Sequence, residues 1–179
     1  MKKVFGIAIS LIVLVVAGLS VFASQQPSEY EVTHSVIINK GQSEVFPLVA
    51  DLQAWESWSP WYEKDPAMKR EFSENTRGVG ASMTWDSEEV GKGKQTITDV
   101  VDDEAIKMEL VFTAPMEGKA YSFFKIKSTE DGQTQVSWRM EGKNDSFVKK
   151  LFYGLMDVKG MIKQDFEKGL SNLKARLEQ

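Results

Sequence analysis

The chain contains no cysteine and a single histidine, His34. The first absence excludes disulfides, thiolate metal ligands and cysteine nucleophiles, and it leaves the redox compartment open because a cysteine-free protein tolerates either. The second excludes any site that needs two imidazoles, including the common His-rich zinc centres. Basic charge is short as well: 22 Lys and Arg stand against 26 Asp and Glu, a formal net charge of −4. Setting aside Lys2 and Lys3 leaves 20 basic residues and a charge of −6. That balance argues against nucleic acid as a partner and against charge-driven binding to anionic lipid headgroups. Internal repeats, low-complexity tracts, a Ser-His-Asp order and a paired-carboxylate motif are all lacking. Asp102-Asp103-Glu104 is too short and ungraded for a calcium loop and reads as a turn. Gly91-Lys92-Gly93-Lys94 lacks the context of a phosphate loop.

What the chain does have begins at its N-terminus. Val4 to Phe22 carries no charge, and no ionisable side chain returns until Glu29. As a helix this run spans roughly 28 Å, close to the hydrocarbon thickness of a bilayer. Two lysines precede it and none follows closely, which places the remainder on the extracytoplasmic side, periplasmic or cell-surface. Residues 1–23 therefore read as a membrane anchor or a signal peptide. Val21 and Ala23 occupy the small-residue positions of a cleavage site before Ser24, which would make the protein secreted, yet the apolar run is longer than a usual signal core. A segment apolar on every face suits lipid better than a buried soluble helix. Residues 24–28 form a polar linker, and 29–179 have the length of one domain with its own core.

Within that domain Glu29–Lys40 alternates as a strand, with Val32, His34, Val36 and Ile38 on one face. Ser43 is a candidate N-cap for a short helix reaching Asp51, with Pro47 in its first turn. Trp55, Trp58, Pro60, Trp61 and Pro66 mark an aromatic loop. Strands follow at Met68–Glu74, Gly80–Asp86, Lys94–Val101 after a Gly91/Gly93 turn, Ile106–Thr113 and Lys119–Ser128. Asp131-Gly132 then predicts a hairpin turn into a strand with Val136, Trp138 and Met140 on its apolar side. Apolar residues on one side and charge on the other describe an antiparallel sheet with one solvated face. From Ser146 to Leu177 the apolar residues recur at steps of three and four, a long helix weakened near Gly154 and Gly160. Asp165 and Glu167 fall on its solvent side in this reading. The class is α+β, a sheet whose single apolar face is covered by the C-terminal helix.

Several stretches, in this order, resemble the START-like helix-grip superfamily (SRPBCC), in particular its polyketide cyclase/dehydrase and lipid-transport group. They are Val45-Phe46 through Asp51, Trp55-x-x-Trp58-x-Pro60-Trp61, Gly78-x-Gly80 with Trp85 and Gly91-x-Gly93, Thr134-x-Val136-x-Trp138, and Asp165-Phe166-Glu167-x-Gly169-Leu170-x-x-Leu173-Lys174. The resemblance implies a helix-grip fold, a curved antiparallel sheet of six to seven strands around a long C-terminal helix with a hollow between them. It implies no single activity, since the superfamily includes lipid carriers, ligand-binding proteins, co-chaperones and a minority of enzymes. Export does not suit a cytosolic co-chaperone. No catalytic motif of the cyclizing enzymes matches here, and the metal ligands of Rieske-type oxygenase subunits are not available. No cofactor or metal is implied.

The residues facing the expected hollow are rich in aromatics and methionine: Met83, Trp85, Met108, Leu110, Phe112, Phe124, Trp138, Met140, Phe152 and Met156. Such a set either lines a site for an apolar ligand or fills the core. The Trp55/Trp58/Trp61 loop either packs under the end of the sheet or forms a lid or membrane-touching tip. His34 has the intrinsic pKa of a general base but also reads as an ordinary strand residue. Asp86, Asp99 and Glu141 read as solvated carboxylates. The leading expectation is an exported or membrane-tethered protein that binds a hydrophobic small molecule or lipid between sheet and helix. An enzyme of cyclase/dehydrase type on an apolar substrate and an envelope interaction domain without a small-molecule site are the alternatives.

Overall fold

The computed structural model describes residues 2–179. Helix α1 (Lys2–Gln25) leads into strand β1 (Glu29–Ile38) and helix α2 (Gln42–Ala50). A 3-10 turn at Ala54–Ser57 and the short helix α3 (Pro60–Lys64) follow. Six strands come next: β2 (Lys69–Phe72), β3 (Ser82–Ser87), β4 (Gly91–Val101), β5 (Ala105–Ala114), β6 (Gly118–Ser128) and β7 (Thr134–Lys143). Helices α4 (Phe147–Met156) and α5 (Val158–Leu177) complete the chain.

The strands form one seven-stranded sheet in the order β1-β7-β6-β5-β4-β3-β2. Every pairing is antiparallel, so β2 to β7 run as a meander and β1 closes onto β7. The alternation expected from sequence appears directly: Ile106, Met108 and Leu110 are buried on β5 while Lys107 is exposed. Burying that face requires a cover, and α5 supplies it with Phe166, Leu170 and Leu173, all shielded from solvent. The result is the curved-sheet, helix-grip α+β fold that the sequence predicts.

Local structure departs from expectation in three places. Gly41, not Ser43, precedes the first turn of α2, where its N–H donates to Glu44 Oε1 at 3.3 Å. Pro47 therefore lies inside α2 and not in its first turn. Gly91 and Gly93 belong to β4 and not to a turn, because the chain already reverses at residues 88–90. The C-terminal stretch breaks at neither glycine but at Asp157, in the left-handed region (φ 47°, ψ 46°). Asp tolerates that conformation through local hydrogen bonding, and here its carboxylate caps α5 by accepting the Gly160 N–H at 3.2 Å. Gly154 has another reason to lack a side chain, since a Cβ there would lie 2.9 Å from the Phe22 ring of α1.

Asp51 ties the end of α2 to the loop before β3. Its Oδ2 accepts from Arg77 Nε at 2.8 Å and its Oδ1 from the Gln53 N–H at 3.0 Å. Burial alone would raise its pKa, but the hydrogen bonds from Thr76, Arg77 and Gln53 outweigh burial and hold the carboxyl below its ordinary value. A depressed carboxylate stabilises the fold above its unfolded pKa of about 3.9, and that contribution is lost as pH falls through the lower folded value. Asp51→Asn is therefore expected to be less stable than the parent at neutral pH, with the gap closing below about pH 4. Urea unfolding at pH 7 and pH 3 measures this, and an equal gap at both would assign the effect to geometry instead of charge.

Candidate ligand-binding site

Five tryptophans organise the space between sheet and α5. Trp55 and Trp58 come from the segment read as a loop, which folds into the 3-10 turn and α3 and buries both indoles. They pack edge-on against Trp138, each at 5.7 Å between ring centroids, so this segment plugs the sheet and is not an exposed tip. Trp138 also stacks on Phe166 of α5 at 4.1 Å and on Phe124 of β6 at 4.7 Å. Met108, Phe124 and Trp138 are almost wholly buried in this cluster.

Beside the plug the packing opens into a cavity of about 150 Å³. Met83 and Trp85 of β3, Leu110 and Phe112 of β5 and Met140 of β7 form its sheet wall. Trp55, Trp61, Tyr62, Met68, Val90 and Ile162 close the remaining apolar sides. Half of the residues expected from sequence therefore meet here, while Met108, Phe124 and Trp138 fill the core alongside. Phe152 lies in a neighbouring hollow of about 210 Å³ beneath α4, which shares Val90 and Phe112 with the cavity. Met156 faces outward and is 53% exposed.

The polar lining went unforeseen. Four of the five indole N–H groups have acceptors: Trp55 reaches Val49 O (2.9 Å), Trp58 reaches Leu48 O (3.0 Å), Trp138 reaches Ser122 Oγ (2.9 Å) and Trp61 reaches Asp165 Oδ2 (3.2 Å). The buried Trp85 Nε1 has none, although the Trp85 side chain is part of the cavity wall. Ser59, Tyr62 and Gln95 line the same cavity, and their Oγ, OH and Nε2 atoms are likewise buried and unpartnered among the described residues. All four groups are able to donate a hydrogen bond, and leaving such groups dry and unpaired costs about 1–3 kcal/mol each. Burial also raises the pKa of the Tyr62 phenol, so it stays protonated. One signal for Gln95 was present in the sequence: it sits between Gly93 and Ile97 at an inward position of β4. Ser59 and Tyr62 come from an aperiodic segment and left none.

Asp165 corrects the solvent-side reading. Its side chain is 13% exposed, because α3 docks on that flank of α5 and brings Lys64 into an ion pair and Trp61 into a hydrogen bond with it. Glu167 does face solvent. His34 is half-buried, with Nδ1 3.9 Å from Glu167 Oε1, and lies outside the cavity. Asp86 pairs with Lys92 and Glu141 with Arg139, while Asp99 lies exposed; none of the three lines the cavity. Among the described residues no three His, Asp or Glu side chains are grouped to hold a metal ion. A broader groove of about 810 Å³ on the other face of the sheet runs past Lys107, Lys125 and Arg139. Its charged walls suit water better than an apolar ligand.

A sheet gripping one helix, with a mostly apolar hole between them, defines a ligand-binding or cyclase-type domain. The chain belongs to the polyketide cyclase / dehydrase and lipid transport family, which residues 29–178 match. Solved structures share the fold. Protein CV1439 from Chromobacterium violaceum is 16% identical with a TM-score of 0.60, covering 83% of this chain and 97% of its own. Protein jhp0584 from Helicobacter pylori is 12% identical with a TM-score of 0.63, covering 82% and 87%. The Aha1 dimer from Colwellia psychrerythraea is 14% identical with a TM-score of 0.57, covering 83% and 96%. At these identities the likeness is one of fold. No curated protein matches the sequence.

Proposed function

We propose that this is a membrane-tethered binding protein whose cavity holds a small apolar molecule carrying a hydrogen-bond acceptor, such as a ring ketone or quinone-like compound. The carrying observation is one apolar cavity, four of whose lining residues each carry a buried hydrogen-bond donor without a partner among the described residues. A cavity near 150 Å³ suits a ligand of single-ring size. Displacing the shared Phe112 side chain would join it to the hollow under α4 and bring the space into the ordinary small-molecule range. Binding is favoured over acid–base catalysis because Asp165, the one carboxylate on the cavity wall, is already engaged by Lys64 and Trp61.

Tethering rests on α1. Among the described residues it is the one helix long and apolar enough to cross a bilayer. It continues unbroken through Ser24 into the stretch expected as linker, and Ala23 is buried. That supports retention of the helix over cleavage before Ser24. Lys2 and Lys3 favour an extracytoplasmic domain.

The test uses the full chain in lipid nanodiscs. Cyclohexanone and small alkylphenols are expected to raise its melting temperature, or a small molecule to be released on denaturation and seen by mass spectrometry. Trp85→Phe removes one donor while keeping an aromatic ring in the wall at some loss of volume, and is expected to weaken binding at least about fivefold, the worth of one ordinary hydrogen bond. The reading fails if no probe shifts the melting temperature and no molecule is released.

A further inference from the structure

Helix α4 has an apolar surface that the fold leaves uncovered. None of its ten residues is fully buried. Phe147, Val148, Leu155 and Met156 are each at least half exposed. Val148 and Leu155 lie seven residues apart, with Leu151 between them on the same stripe. Tyr153 turns the other way and packs on Tyr30 at 5.2 Å. Such a concentration of apolar surface on one short helix marks a contact with something apolar.

The position of α4 identifies that contact. The end of α1 rests on it: Gly154 lies so close to Phe22 and Gln26 that a Cβ would come within 3 Å of both. Phe22 is the last residue of the uncharged apolar run, so α4 sits where the span gives way to the membrane surface. Lys150 borders the cleft between α1 and α4, and Lys159 is exposed on the first turn of α5. Neither pairs with a carboxylate among the described residues, which leaves both able to meet lipid phosphates while their stems lie along apolar surface.

We propose that α4 is an interfacial helix, with Val148, Leu151 and Leu155 sunk into the boundary between headgroups and acyl chains. Burial of apolar area drives this seating, with the two lysines orienting it, so the acidic net charge of the chain does not oppose it. The hollow roofed by Phe152 and Tyr153 then opens at the lipid surface, and the cavity behind Phe112 is reached from the bilayer. This placement rests on α1 being inserted.

The absence of cysteine permits single-cysteine spin labels in the full chain, reconstituted in vesicles of phosphatidylethanolamine and phosphatidylglycerol. Labels would be placed at Val13 in α1, at Val148 and Leu155, and at Val101, at the far end of the β4–β5 ribbon from Pro115 and the hollow under α4. All four side chains are exposed, so the substitutions leave packing intact. Labels at 148 and 155 are expected to show an oxygen-to-nickel collision ratio severalfold above that at 101 and below that at 13. A lipid-like ratio at 13 with water-like ratios at 148 and 155 would overturn the interfacial helix while leaving the tether standing. Water-like ratios at all four would overturn both. Low access to both reagents at 148 and 155, with dipolar broadening between copies, would make this face a self-association surface and overturn the proposal.

Discussion

Trp138→Ala is expected to lower stability by about 3–5 kcal/mol, the range for removing a large aromatic from a closed core. Trp138 is sandwiched between Phe166 of α5 and Phe124 of β6, and three further indoles meet its edges. Truncation therefore empties the contact between sheet, helix and plug at once, and it strips Ser122 Oγ of its indole partner. Trp138→Phe keeps most of the stacking and loses only that hydrogen bond and some volume, so it should cost far less. Urea unfolding of the full chain in mild micelles, followed by circular dichroism, compares the two. Equal losses would mean that the hydrogen bond, and not ring packing, holds the helix to the sheet.

Gly93→Val is expected to cost about 1–3 kcal/mol by overpacking and to abolish ligand uptake as well. A Cβ at this position would stand 2.5 Å from the Val111 carbonyl oxygen and 2.6 Å from the Trp85 ring. The carbonyl belongs to the paired β5 strand and has nowhere to go, so the Trp85 ring must yield. Since Trp85 supplies one cavity wall and carries one of the buried unpartnered donors, its displacement disturbs both. Gly118→Ala provides the contrast, because nothing lies within 4 Å of a Cβ there. Near-UV circular dichroism, together with the melting-temperature response to cyclohexanone, reads the outcome. Unchanged probe binding in Gly93→Val would show that Trp85 is not a wall of the occupied site.

The two predictions fall on opposite sides of a distinction that strand periodicity does not draw. Met108, Leu110, Trp138 and Met140 all occupy inward positions, and alternation alone makes them equivalent. Whether such a residue fills the core or lines a hole depends on what is laid over it. Trp55, Trp58 and Phe166 cover Trp138, whereas the packing stops short over Met83, Trp85 and Leu110. Gln95 was within reach as a polar residue at an inward strand position. Ser59 and Tyr62 were not, because the segment carrying them has no period and acquires a buried side only by docking. Asp165 was read as solvated because it sits one residue off the apolar stripe of α5, and only the arrival of α3 covers that flank.

The sequence by itself determined the strand faces, the helical stripe, the weakness of the C-terminal helix between Gly154 and Gly160 and the length of the apolar N-terminal run. Each of these follows from side-chain periodicity or from a local turn, which neighbouring residues decide among themselves. Tertiary structure alone decided that a cavity exists, which five of the ten candidates reach it, and that four of the residues around it carry buried donors without partners among the described residues. It also decided that α4 lies against the end of α1 with its apolar side uncovered. Those features arise where segments distant in the chain fail to cover one another completely, and a gap between surfaces has no residue of its own to announce it.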